Sequence, residues 1–154
     1  MKFGTHVSIA GGAFNAPLNA AQVGCETFQM FTRSPRGGAA PTLTPEIIKE
    51  FNDNCKEHGF TNYYVHAPYY VNLASAKLKI YNDSISIIRE ELERSSLLDV
   101  KALMIHTGSA RDQDRAVALK KAIAGITKIL KTYKGSTQFL IEIAAGSGNV
   151  IGDT

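Results

Sequence analysis

No stretch of this 154-residue chain approaches the 18 or more consecutive apolar residues that a membrane-spanning helix needs. No membrane partner is therefore expected. The N-terminus, MKFGTHVSIAGG, has neither a long apolar core nor a small-residue cleavage site, so no secretory signal is read there. Cysteine is scarce: Cys25 and Cys55 form no metal or redox motif. With no secretory signal both are expected reduced, Cys55 packed in a helix, and the expected compartment is cytoplasmic. A dominant charge is also missing. The net charge of +3 permits a polyanionic partner without requiring one. The chain is long enough for one domain with a real core, but a complete (β/α)8 barrel takes about 250 residues.

Against these absences stands one repeated placement. Three strand-like segments, NYYVHA, ALMIH and FLIE, carry His66, His106 and Glu142 at their ends. The intervals, 40 and 36 residues, match a strand, a helix and two loops. Each of these residues thus stands at the carboxyl end of its own strand, the face on which parallel α/β folds bind ligands. Adjacent strands lie about 4.8 Å apart, so two imidazoles and a carboxylate can converge on one point. Two His and one Glu with a position left open form a catalytic zinc set. Taken singly, each histidine reads equally as a strand cap on a backbone carbonyl. A carboxylate ending a buried apolar strand, however, is costly unless paired or metal-bound.

The remaining elements alternate. Phe3, Thr5 and Val7 mark a first strand, broken by Gly11-Gly12. Phe14, Leu18 and Ala21 suggest a short helix ended by Gly24, and residues 26–31 a second strand. A Gly- and Pro-rich loop, TRSPRGGAAPTL, leads to Thr44-Pro45, an N-cap followed by proline at the first helical position. Ile47, Phe51 and Cys55 form that helix's apolar face, and Gly59 ends it. Strand three covers residues 62–67. Leu78, Tyr81, Ile85, Ile88 and Leu92 make a helical stripe before strand four at 102–106. Leu119, Ile123, Ile126, Leu130 and Tyr133 repeat the stripe before strand five at 138–143. The order (βα)4β predicts a parallel sheet with right-handed crossovers. The fold class is α/β, a partial (β/α) TIM barrel of about five strands and four helices, in one domain over residues 1–154. The chain stops at Gly152-Asp153-Thr154, where another helix is due, and this reads as a truncation. Strands one and five would then have open edges, a liability that another half-barrel chain or a second copy would relieve.

The loops add a specific pattern. GTHVSIAGG at 4–12, FTRSPR at 31–36, VHAPYYVNLAS at 65–75, IHTGS at 105–109 and IEIAAGSGNVIG at 141–152 occur in the order and roughly the spacing of endonuclease IV, the zinc-dependent apurinic/apyrimidinic endonuclease family. The chain resembles the N-terminal half of that family's barrel. The resemblance implies a (β/α)8 barrel with three zinc ions on its carboxyl face. His66 and His106 match ligands of one zinc, and Glu142 matches the carboxylate bridging it to a second. The family's other ligands lie on later strands, so only one zinc site is whole here. The implied reaction is hydrolysis of double-stranded DNA on the 5′ side of an abasic nucleotide, as in base excision repair. Zinc lowers the pKa of water to about 7. Glu142 holds the attacking hydroxide in the catalytic role, and a nucleotide without a base is cheap to flip out. Two departures bear on the site. Gly38 stands where the family commonly has an aromatic residue. The family's ENTAGQG-like stretch reads EIAAGSG, which removes an Asn and a Thr from around Glu142.

The same resemblance assigns Arg36, Tyr69 and Tyr70 to contact with DNA at the lesion, where inserted side chains hold a duplex kinked. Without it, Arg36 is a solvated loop arginine and the tyrosines pack a loop. His6 ends strand one and either supports the ligands from behind or merely packs. His58 caps a helix or is exposed. Gly108-Ser109 offers N–H groups to a phosphate or makes a tight turn; for Gly11-Gly12 the turn is preferred. Lys120, Lys121, Lys128, Lys131 and Lys134 read as a solvated outer face rather than a DNA groove. Two other classes stay open: a metal-dependent sugar isomerase or epimerase of the xylose-isomerase-like barrel superfamily, and a non-catalytic DNA-binding fragment.

Overall fold

Nine elements alternate strand and helix in the computed structural model, which describes residues 1–146 and 148–152. Ser147, in the stretch after Glu142, and Asp153 and Thr154, at the expected break, lie outside the described residues. The order is β1 (Gly4–His6), α1 (Asn15–Gln22), β2 (Thr27–Met30), α2 (Pro45–Glu57), β3 (Tyr63–His66), α3 (Leu78–Leu97), β4 (Ala102–Ile105), α4 (Arg115–Leu130) and β5 (Gln138–Ile141). The strands form one parallel sheet in sequence order, β1-β2-β3-β4-β5. This is the partial barrel that the alternation predicts. All five carboxyl ends, and the loops that follow them, share one face. No helix among the described residues is long and apolar enough to cross a membrane.

Local chemistry sets the helix starts. Thr44 Oγ1 accepts from Ile47 N at 3.4 Å, with Pro45 at the start of α2. Asp114 caps α4 by accepting from Ala116 N at 2.9 Å and Val117 N at 3.1 Å. Such caps are each worth about 1 kcal/mol. Beneath α1 and α2, Phe28 stacks on Tyr63 at 5.2 Å and meets Phe60 and Phe51 edge-on. These rings are almost wholly buried, and each contributes roughly 1.5–3 kcal/mol through that burial. β1 runs so close to β2 that a Cβ on Gly4 would lie 1.8 Å from the Thr27 carbonyl oxygen, so only glycine fits there.

Two helices turn a different face inward from the one their large apolar residues mark. On α4 the buried residues are Ala118, Ala122, Gly125 and Ile129, while Leu119, Ile123 and Leu130 are exposed. On α1 they are Ala16, Pro17 and Ala20, and Leu18 is exposed. Small residues let a helix approach closely: a Cβ on Gly125 would sit 3.2 Å from Leu73 and 3.3 Å from Tyr81. Tyr133 lies beyond the end of α4. The solvated lysine face also needs one correction. Lys121 is partly buried, donates to the Ser75 carbonyl at 2.6 Å, and stands 5.1 Å from the Tyr81 ring centre. It binds α4 to the loop before α3 instead of facing water.

Candidate metal centre

His66 is the last residue of β3, while His106 and Glu142 immediately follow β4 and β5. The register pairs His66 with Met104 and Ile105 with Ile141. His66 therefore lies two residues short of His106 along the sheet, an offset that strand tilt in a curved sheet accommodates. The three side chains meet despite it. His66 Nε2 is 3.0 Å from Glu142 Oε2, His106 Nε2 is 3.9 Å from the same oxygen, and the imidazole rings are 5.1 Å apart. One ligand atom from each lies within 4.8 Å of the others. A tetrahedral zinc with bonds of about 2.0–2.1 Å separates its ligand atoms by about 3.3 Å, a value the two contacts to Glu142 bracket.

The tautomer of His66 supports the fit. Its Nδ1–H donates to the Ala67 carbonyl at 2.6 Å. Its Nε2 is thereby left toward Glu142 Oε2, a contact that either a proton on Nε2 or a cation between the two atoms would satisfy. A carbonyl behind a ligating imidazole is also the usual arrangement that orients such a ring. His66 is buried, whereas His106 and Glu142 are 40% and 45% exposed, so the pocket is held from one side and open on the other.

That open side is a cleft of about 860 Å³ lined by His106, Glu142, Tyr69, Tyr70, Asn72 and Arg111, among others. Tyr69 is exposed, 5.6 Å from the His66 ring and edge-on to Phe31 at 5.3 Å. Both tyrosines thus join the three ligand-type residues. Arg36 does not line the cleft; it is exposed on the β2–α2 loop. His6 is set apart as well. Its Nδ1 meets Gln29 Oε1 at 2.9 Å, and its ring packs on Phe31, which in turn meets His66. His58 is the C-cap of α2, its N–H donating to the Asn54 carbonyl.

Several residues of this face escaped the sequence reading. Asn72 Oδ1 accepts from Ala74 N and Ser109 N, and its Nδ2 donates to the Ser109 carbonyl. It ties the loop after β3 to the loop after β4. The Ser109 N–H is thereby taken by Asn72 and is not offered to a phosphate. Gly108, at φ 112°, is a turn in which a Cβ would meet Asn72 Oδ1 at 2.1 Å. Asp112 fastens the same loops by accepting from Ala76 N at 3.1 Å and Ser75 Oγ at 3.2 Å. The Ala76 N–H holds its carboxyl below the usual range. Arg111 is carried on this braced turn at the cleft rim. The nearest sequence signal was its place after a strand end, where any loop cation would look alike.

Comparison with known proteins agrees with this fold. The chain is 38% identical over 152 residues to a probable endonuclease 4 of Carboxydothermus hydrogenoformans, covering 99% of this chain and 53% of that protein. It is 33% identical over 156 residues to apurinic-apyrimidinic endonuclease 1 of Saccharomyces cerevisiae, covering 99% of this chain and 42% of that protein. Endonuclease IV from Thermus thermophilus superposes with a TM-score of 0.82 at 27% identity, covering 99% of this chain and 55% of that one. The chain spans about half the length of the curated relatives it matches. Residues 17–154 match the model of one family, and the chain belongs to it: the xylose isomerase-like TIM barrels.

Proposed function

We propose that this chain is the metal-bearing N-terminal half of a cytoplasmic DNA-repair endonuclease of the endonuclease IV type, which hydrolyses the phosphodiester 5′ to an abasic site in duplex DNA. The observation that carries the reading is the convergence of His66 Nε2, 3.0 Å from Glu142 Oε2, and His106 Nε2, 3.9 Å from the same oxygen. His66, His106 and Glu142 would hold a zinc ion. Bound there, zinc supplies a Lewis acid for the phosphoryl oxygens and makes hydroxide available at neutral pH. Glu142, half exposed and lining the cleft, would hold the attacking hydroxide. Tyr69 and Tyr70 wall the cleft as apolar surfaces against which a base-free sugar can rest. Arg36 answers the phosphate backbone from the neighbouring loop.

The names of the relatives, among them an apurinic-apyrimidinic endonuclease, support this reading over an epimerase. The further metal ligands would come from outside these 154 residues. The test is zinc content of the purified chain together with binding and cleavage of a duplex carrying one abasic site. One zinc per chain, lost in His66→Ala and His106→Ala, with duplex bound but uncut, is the expected result. Three zinc ions per active unit with cutting would identify a second copy as the completing half. A folded chain that takes up no zinc would sink the proposal.

A further inference from the structure

A second charged cluster lies buried behind the β2–α2 loop, away from the metal centre. Glu91 of α3 is fully buried and accepts from Thr32 Oγ1 at 2.8 Å and Arg33 Nε at 2.6 Å. Arg33 Nη2 also stands 2.7 Å from Glu90, an ion pair set off the N–H axis. Burial works against the Arg33 charge, but the Glu90 and Glu91 carboxylates outweigh it and raise its pKa. Arg94, one turn along the helix, donates from Nε to Thr32 Oγ1 at 2.9 Å, from Nη2 to the Thr32 carbonyl at 2.8 Å, and from Nη1 to the Pro41 carbonyl at 2.8 Å. It lies 3.9 Å from Glu91.

What the cluster connects is informative. Thr32 stands just after β2 and Pro41 shortly before the Thr44 cap of α2. One guanidinium therefore grips both ends of the loop. Arg36 lies between the two grips, with its backbone N–H on Ser34 Oγ at 3.2 Å and its side chain exposed. Gly37 and Gly38 follow it, both at positive φ and with open space around them, and the bonds within this turn are short-range ones to Ser34, whose carbonyl also accepts from Gly37 N at 3.3 Å. Buried ion clusters are seldom more stabilising than apolar packing of the same volume, and fixing one arrangement is the best-attested use of such groups.

We propose that Arg94, linked to Glu91 through Thr32 Oγ1, is a positioning residue for Arg36. It clamps both feet of the β2–α2 loop so that the Arg36 guanidinium meets a phosphodiester in a fixed place. This rests on the DNA reading given above, whereas the clamp itself can be measured without DNA.

Arg94→Lys keeps the charge beside Glu91 but loses the fork that spans Thr32 and Pro41. Thr32→Val removes the hydroxyl that accepts from Arg94 Nε and donates to Glu91, at nearly constant shape, and leaves the Thr32 carbonyl to Arg94 Nη2; it carries the same comparison if Arg94→Lys does not fold. Two quantities are read on chains matched in zinc content and circular dichroism. One is affinity for a short fluorescent duplex with a tetrahydrofuran abasic analogue, and the other is the rate of trypsin cleavage after Arg36. Arg94→Lys is expected to weaken duplex binding about threefold and to lower the salt slope by up to about 1, as Arg36→Ala does. It should add nothing in an Arg36→Ala background, because coupled residues are not additive. Trypsin should cut after Arg36 roughly fivefold faster as the loop opens. Thr32→Val should move both readouts the same way by less. Additive losses in the double variant, or an unchanged trypsin rate, overturn the clamp. A parent chain that binds no duplex overturns the DNA reading instead, and the trypsin rate still decides the clamp.

Discussion

Glu91 and Glu142 are the same residue type, each beside two nitrogen-bearing side chains, and they serve opposite ends. Glu91 is fully buried, and every partner it has is a donor: Thr32 Oγ1, Arg33 Nε and, at longer range, Arg94. Its charge is answered within the protein. Glu142 is half exposed and faces two imidazoles, His66 Nε2 at 3.0 Å and His106 Nε2 at 3.9 Å, the other His66 nitrogen being spent on Ala67. Its partners are ligand-type nitrogens at the edge of open solvent. A carboxylate saturated by donors inside the fold holds the fold together, and one that meets imidazoles at the surface of a cleft offers a place for a cation.

Removing each carboxylate should expose that difference. Glu91→Ala leaves Arg94 buried without its ion-pair partner and Arg33 with only the half-exposed Glu90, and is expected to cost about 3 kcal/mol in urea denaturation, with zinc uptake of the remaining folded chain unchanged. An effect under about 1 kcal/mol would mean that the cluster is hydrated and loosely held. The metal centre should respond to ligand instead. Zinc at about a hundred times its dissociation constant is expected to stabilise the parent chain by about 2.7 kcal/mol, and Glu142→Ala or His106→Ala should abolish that gain in a thermal melt. The smallest effect is expected for Glu142→Gln in chelator. A half-exposed carboxylate whose close contact is one imidazole at 3.0 Å changes stability by no more than about 0.5 kcal/mol. A large loss there would place Glu142 with Glu91 as a structural residue and break the contrast.

The same contrast governs what could be read from the sequence. His66, His106 and Glu142 were legible because each ends or follows an apolar strand at one structural interval; the cost of burying a polar group applies to His66 alone, since β5 is largely exposed and Glu142 does not end a buried strand. Thr44-Pro45 and the α2 face of Phe51 and Cys55 were legible for a similar reason, since capping and periodicity are local. The inward faces of α1 and α4 were not. There Ala16, Ala20, Ala118, Ala122 and Gly125 do the packing, and small residues carry little hydrophobic signal although they permit the closest contact. Arg33 and Arg36 look alike in FTRSPR, yet one is buried in a charged cluster and the other is exposed. Only Glu91, 58 residues away from Arg33, separates them, and no local pattern reports a partner at that distance.

Glu142 follows β5, which ends the sheet and pairs with β4 alone among the described strands. Its own N–H makes the last rung of that ladder, donating to the Ile105 carbonyl at 2.9 Å. Terminal rungs of edge strands open more readily than the rest of a sheet. A bound ion would thus be released at the tempo of fraying at β5, and its residence time would serve as a clock for that motion.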